Sequence, residues 1–169
     1  AHSVNQATFK GLESGLVTSA SVMVPCPWLE EVSLYAKQNP DADIGIHFTL
    51  NSEWHTYKWG PLLGREKVPS LVDARGYLFP SVQETVTKAK PDEVELELRS
   101  QIQRAIELGI KPTHLDTHMG TILYSPQFFE IYMKLGREFG LPVLLVKAAM
   151  AMAPYAKEMI SPEDIVVDH

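Results

Sequence analysis

The sequence predicts an α/β fold, a parallel sheet or barrel with helices packed on its outside. Two observations predict it. Five short apolar strands alternate with helix-like segments along the chain, the pattern of a parallel α/β architecture. The 169 residues, 45% hydrophobic and 21% charged, suffice for one domain with a full core and argue against extended disorder.

The elements follow in order. A helix is expected from about Val4 to Glu13, with Ser3 as its N-cap and Gly15 as its stop. Val17 to Val24 reads as a buried strand bounded by Pro25-Cys26-Pro27. Pro27 sits where a helix starts, and Leu29, Val32, Tyr35 and Ala36 make its apolar stripe up to Asn39-Pro40. Ile44 to Leu50 is the second strand. Residues 51–80 form a long insertion rich in Gly, Pro and aromatic residues, either a functional lid or binding loop or a poorly ordered one. The clearest helix runs from Pro91 to about Leu108, burying Val94, Leu98, Ile102, Ala105 and Ile106. Thr113 to His118 is the third strand. Ser125-Pro126 opens a helix with Phe128, Ile131, Leu135 and Phe139 on one face, closed by Gly140. Pro142 to Lys147 is a fourth strand, Tyr155 to Met159 a short helix and Ile165 to Val167 a fifth strand. The leading helix has no strand before it, so regular alternation predicts one upstream of Ala1, and both ends read as edges cut from a longer protein.

Composition narrows the function. Fifteen Lys and Arg against 21 Asp and Glu give a net charge of −6, and the basic residues are scattered, which argues against a nucleic-acid or anionic-membrane surface. No apolar run approaches the roughly 18–20 residues of a membrane span. Cys26 is the only cysteine, so there is no intrachain disulfide, which suits a cytoplasmic location. The sequence holds no G-x-S-x-G, no phosphate-binding G-x-x-x-x-G-K-[ST] and no G-x-G-x-x-G. Cys26, set between two prolines, reads as a packed thiol rather than a nucleophile.

Chemistry concentrates near the carboxyl ends of the strands, which a parallel crossover gathers on one face. His47 lies in an apolar strand where a buried imidazole needs a partner. Strand alternation places His114, Asp116 and His118 on one face of the third strand. Two imidazoles and a carboxylate make a common catalytic metal set, although a single strand histidine is more often structural. Asp168-His169 could complete such a site; His2 and His55 are weaker candidates. In the insertion, Trp54 and Trp59 could stack on sugar rings while Glu53 accepts hydroxyl hydrogen bonds. The alternative is that the indoles anchor the loop to the core.

Gly15-Leu16-Val17-Thr18-Ser19-Ala20-Ser21-Val22-Met23-Val24, Gly45-Ile46-His47-Phe48-Thr49-Leu50 and Pro112-Thr113-His114-Leu115-Asp116-Thr117-His118 occur in this order. Together they resemble the YdjC-like (ChbG-type) carbohydrate deacetylases, relatives of the polysaccharide deacetylases, over nearly the whole chain. The resemblance implies an incomplete (β/α) barrel of about seven strands. It also implies a divalent metal, Zn or Mg, and hydrolysis of N-acetyl groups on amino-sugar oligosaccharides. His47 and His118 match the family's two histidine ligands. The family's ligand Asp and its general base belong to an Asp-Asp motif expected upstream of Ala1, and a further His is expected beyond the chain's other end. Asp116 is then expected to orient His118 or its neighbours rather than act as base. Met119-Gly120 departs from members with further histidines there. The implied partner is an N-acetylated oligosaccharide; a homodimer is a further expectation. Two alternatives stand beside this reading: a non-catalytic carbohydrate-binding homologue, or another metal-dependent amide or ester hydrolase on the same barrel.

Overall fold

The computed structural model describes residues 1–145, 153–162, 164 and 166–167. Its elements are α1 (His2–Glu13), β1 (Ala20–Val22), α2 (Leu29–Gln38), β2 (Ile44–Phe48), α3 (Val82–Lys88), α4 (Pro91–Glu107), β3 (Leu115–Thr117), α5 (Pro126–Phe139), β4 (Val143–Leu144), α6 (Ala156–Met159) and β5 (Val166–Val167). Short 3-10 turns cover Pro69–Leu71 and His118–Tyr124. The strands form one sheet in the order β1-β2-β3-β4-β5, every neighbouring pair parallel. Sequential order differs from a doubly wound sheet, whose strand order reverses at a switch point, and is that of successive staves of a (β/α) barrel.

Alternation along β2 divides the two faces of the sheet. Ile44, Ile46 and Phe48 are buried on the face beneath α4, whose Val94, Leu98, Ile102 and Ala105 are buried in turn. Tyr132 of α5 plugs the neighbouring strands. Its hydroxyl donates to the carbonyl of Leu115 at 2.6 Å and accepts from the Leu144 amide at 3.1 Å, and its ring meets Phe48 edge-on. On the other face of β2 lie Gly45 and His47.

His114 does not join the site. Its ring lies against Gly45, where an added Cβ would come within 2.3 Å of the imidazole, and Nδ1 is 3.4 Å from Asp43. It fills the layer below His47 and Asp116. Gly45→Ala is therefore expected to displace that ring and cost about 1–3 kcal/mol of stability, read as a lowered midpoint in thermal or urea unfolding.

Several elements differ from their sequence expectation. Helix α1 starts at His2, so Ser3 lies inside it and caps nothing. Helix α2 starts at Leu29 rather than Pro27, behind Trp28 in a left-handed conformation. Ladder pairing confines β1 to three residues and ends β3 at Thr117, so His118 opens a turn instead of closing a strand. Ile106 is exposed rather than buried, whereas Glu93, Glu97 and Gln101 are buried on α4. Helix α3 lies where the sequence reading places no helix; Ser81 caps it, its Oγ accepting from the Glu84 amide at 3.3 Å and donating to Glu84 Oε2 at 3.2 Å. The insertion is packed, with Trp59, Val68, Leu71 and Leu78 buried. Val146 and Lys147 of the fourth predicted strand, Ile165 of the fifth, and Asp168 and His169 lie outside the described residues.

Candidate active site at the carboxyl edge of the sheet

Parallel register brings the first pair together. His47 on β2 stands opposite Asp116 on β3. Side chains at paired positions of a parallel ladder leave the same face, so the two meet: His47 Nδ1 is 2.7 Å from Asp116 Oδ1. Ser21 of β1 donates its hydroxyl to Asp116 Oδ2 at 2.9 Å and lies 3.3 Å from the same imidazole nitrogen. A carboxylate can only accept from Nδ1, which fixes that nitrogen as the N–H and leaves the Nε2 lone pair free. This is the arrangement by which a carboxylate orients a metal-binding histidine. Of the expected partners, His118 or its neighbours, Asp116 holds the neighbouring His47.

His118 arrives by a different route. After Thr117 the chain leaves the strand, and Met119 (φ 55°) and Gly120 (φ 64°) both take left-handed backbone. For Met119 that conformation is strained, and it persists where the surroundings fix it. Thr121 Oγ1 lies 3.3 Å from the His118 carbonyl and gives its one proton to Asn51 Oδ1. The result sets the His47 and His118 rings edge-on with centroids 5.4 Å apart.

Glu53 reaches the site from the insertion: its Oε2 is 2.8 Å from His118 Nε2. Burial opposes ionisation of Glu53, but the His118 hydrogen bond and charge, with backbone and Trp54 hydrogen bonds, outweigh it and hold the carboxyl below its ordinary range. Trp54 is 54% exposed, whereas Trp59 is only 6% exposed. The Trp59 indole donates to the Asn51 carbonyl at 2.8 Å, and its amide donates to Ser52 Oγ at 3.1 Å. Trp59 therefore anchors the loop, as the second reading of the indoles had it, while its ring still forms part of the wall near His118. A cavity of about 280 Å³ runs along this wall past Glu53, Trp54 and His118. Burial pushes the Cys26 thiol on its rim up to about 12, so it carries no thiolate at neutral pH.

Sequence reasoning missed the groups that hold this arrangement. Asn51 is fully buried, donating to Thr85 Oγ1 at 2.8 Å and the Phe79 carbonyl at 3.3 Å while accepting from Thr121. Glu97 accepts from the amides of Leu62 (2.8 Å) and Leu63 (3.1 Å) and from Gln101 Nε2 (2.9 Å). Gln101 also donates to the Thr49 carbonyl and accepts from the Thr49 amide. The available signal was a pair of polar residues four apart on an otherwise apolar helix face, and Asn51-Ser52 directly after an apolar strand.

The donor chemistry fits a divalent metal in part. His47 offers a free, carboxylate-oriented nitrogen with a second imidazole beside it. Among the described residues no three His, Cys, Asp or Glu side chains are grouped to hold an ion. None of the described helices is long and apolar enough to cross a membrane.

The chain is 40% identical over 131 residues to a carbohydrate deacetylase of Thermus thermophilus, covering 78% of this chain and 45% of the relative. It is 33% identical over 146 residues to a carbohydrate deacetylase of Geobacillus stearothermophilus, covering 86% and 55%. The chain thus spans about half the length of these curated relatives. A crystal structure from Enterococcus faecalis V583, named for cellobiose-phosphate cleavage, superposes with a TM-score of 0.78 at 25% identity, covering 95% of this chain and 61% of that one. The sequence profile of the YdjC-like proteins matches residues 1–163. The matched span includes His47, Asp116 and His118, and the chain belongs to the YdjC-like family.

Proposed function

We propose that the full-length protein is a metal-dependent carbohydrate deacetylase that hydrolyses the N-acetyl group of amino-sugar oligosaccharides. The observation that carries the reading is the Asp116-oriented His47 with His118 beside it at the carboxyl edge of a parallel sheet. The relatives named carbohydrate deacetylase support the substrate class.

His47 and His118 would hold a divalent ion, Zn or Mg, together with ligands from outside the described residues. Such an ion, when bound, polarises an amide carbonyl and lowers the pKa of water towards about 7. The chain's own residues do the positioning. Asp116 accepts from His47 Nδ1, which leaves Nε2 as the nitrogen that could bind the ion. Glu53 fixes the His118 ring from the cavity side, and its charge can accept sugar hydroxyls. The exposed Trp54 indole offers an apolar face to a pyranose ring. The proton-accepting carboxylate is expected from the family's Asp-Asp motif, so no residue of this chain is assigned as base.

The test is acetate release from N-acetylated amino-sugar oligomers by the full-length protein, before and after chelation and with Zn or Mg restored. Release that falls on chelation and returns with metal is the expected result. Binding of the oligomers without release, at any metal loading, would replace the deacetylase by a carbohydrate-binding protein. Turnover of simple esters or amides alone would assign a different hydrolase.

A further inference from the structure

Resting on that reading, we propose that Ser21 is a positioning residue for His47: its hydroxyl fixes the Asp116 carboxylate, which holds the His47 proton on Nδ1 and so keeps Nε2 for a divalent ion. Three strands meet at this point. Ser21 stands opposite Gly45 in the β1–β2 ladder, and His47 stands opposite Asp116 in the β2–β3 ladder. Paired residues, and residues two apart on one strand, share a face, so Ser21, His47 and Asp116 lie on the same side of the sheet. β1 and β3 are not neighbours in the sheet. Gly45 carries no side chain, and Ser21 reaches past it across the intervening β2 to Asp116.

The count of protons gives the contact its direction. A hydroxyl has one proton, an ionised carboxylate none, and a neutral imidazole one, on either nitrogen. Asp116 Oδ1 is 2.7 Å from His47 Nδ1 and Oδ2 is 2.9 Å from Ser21 Oγ, so each oxygen accepts from a different strand. Ser21 Oγ is also 3.3 Å from His47 Nδ1. With its own proton given to Asp116, the hydroxyl has only lone pairs to offer that nitrogen, as Oδ1 does. Both neighbours of Nδ1 therefore favour a proton there.

Without the hydroxyl, Oδ2 loses its donor and the carboxylate turns more freely about its Cβ–Cγ bond, a torsion with broad wells. The hold on the ring slackens accordingly. The His47 and Asp116 side chains are 24% and 18% exposed, so water can reach the Oδ2 that Ser21 vacates. Loss of the hydroxyl thus acts on the orientation of His47 more than on the fold. Direct partners of a metal-binding histidine are worth about 10- to 100-fold in metal affinity, and a group one hydrogen bond further out is expected to be worth less.

The experiment uses the full-length protein with Ser21→Ala, Ser21→Thr, Asp116→Ala and the double variant Ser21→Ala/Asp116→Ala. Nitrogen NMR of the chelator-treated proteins, at a pH where the imidazoles are neutral, reads the His47 tautomer. Competition with a chromophoric chelator reads zinc affinity, beside thermal midpoints and acetate release. Ser21→Ala is expected to mix the two tautomers and weaken zinc about threefold to tenfold. Its midpoint should move by no more than about 4 °C, and saturating zinc should restore its acetate release. Ser21→Thr keeps the hydroxyl and should recover both the tautomer and the affinity. In the Asp116→Ala background the serine change should weaken zinc no further, because its effect runs through that carboxylate.

An unchanged tautomer and zinc affinity in Ser21→Ala, or the same added loss with Asp116 already removed, overturns the role. If Ser21→Ala shifts tautomer and zinc as expected while the wild type releases no acetate, Ser21 stands and the deacetylase reading falls. If the wild type releases acetate with zinc and Ser21→Ala matches it in tautomer and affinity, the deacetylase stands and Ser21 falls. Should the wild type bind no zinc, the metal reading falls, and the tautomer alone decides whether Ser21 holds His47.

Discussion

His47→Ala in the full-length protein is expected to remove acetate release, lowering kcat/KM by about three orders of magnitude or more. The reason is local. The imidazole has one nitrogen committed to Asp116 at 2.7 Å and therefore one nitrogen to give. No other described side chain occupies that strand position, so nothing replaces it. Folding should survive, because His47 is partly exposed and Asp116 keeps its hydrogen bond from Ser21 at 2.9 Å. Asp116→Asn tests the same geometry more gently: the amide oxygen can still accept from Nδ1, but without the charge, and metal affinity or activity should fall about 10- to 100-fold. Metal content, circular dichroism and acetate release, measured on the same samples, separate the outcomes. A His47→Ala protein that retains both metal and turnover removes His47 from the mechanism.

The largest stability effect is expected at Glu97. Its carboxylate is fully buried and accepts from Leu62, Leu63 and Gln101, so one side chain on α4 pins the insertion and, through Gln101, the Thr49 backbone just beyond β2. Burial pushes the Glu97 carboxyl above its ordinary range, and the Gln101, Leu62 and Leu63 hydrogen bonds pull it back. Glu97→Ala strands three donors and opens a void, which should cost about 3–5 kcal/mol. Glu97→Gln preserves volume and one acceptor oxygen, and should cost about 1–3 kcal/mol. Urea midpoints at constant m-value measure both. Because the insertion also carries Glu53 and the Trp59 anchor, KM for oligosaccharide should rise along the same series. A Glu97→Ala protein as stable as the wild type would show that the loop is held by its apolar contacts alone.

Much of the fold was legible because it rests on short-range patterning. The stripe Val94, Leu98, Ile102 and Ala105 faces the core as its spacing dictates, Pro126 and Gly140 bound α5, and the alternation of strands and helices yields a parallel sheet. Where the reading went astray, the deciding contact was not local. The extent of β3 is set by its ladder with β2, so His118 belongs to the following turn. Helix α3 has a serine N-cap but a short, weakly apolar body, so its existence depends on packing against the rest of the fold.

The candidate site divides along the same line. By itself the sequence determined which residue types could do the chemistry: two histidines and an aspartate at strand ends, and an aromatic loop with an acidic residue beside them. Only the tertiary structure decided who holds whom. Asp116 pairs with His47, 69 residues away, rather than with His118 two positions along, and Glu53 takes His118 across 65 residues. It turned Trp59 inward as an anchor, left Trp28 and Trp54 open, and placed Glu97 beneath the insertion. The physical reason is register. Alternation along a strand is a property of the strand alone, but the partner of each side chain is set by how neighbouring strands and loops are hydrogen-bonded in space.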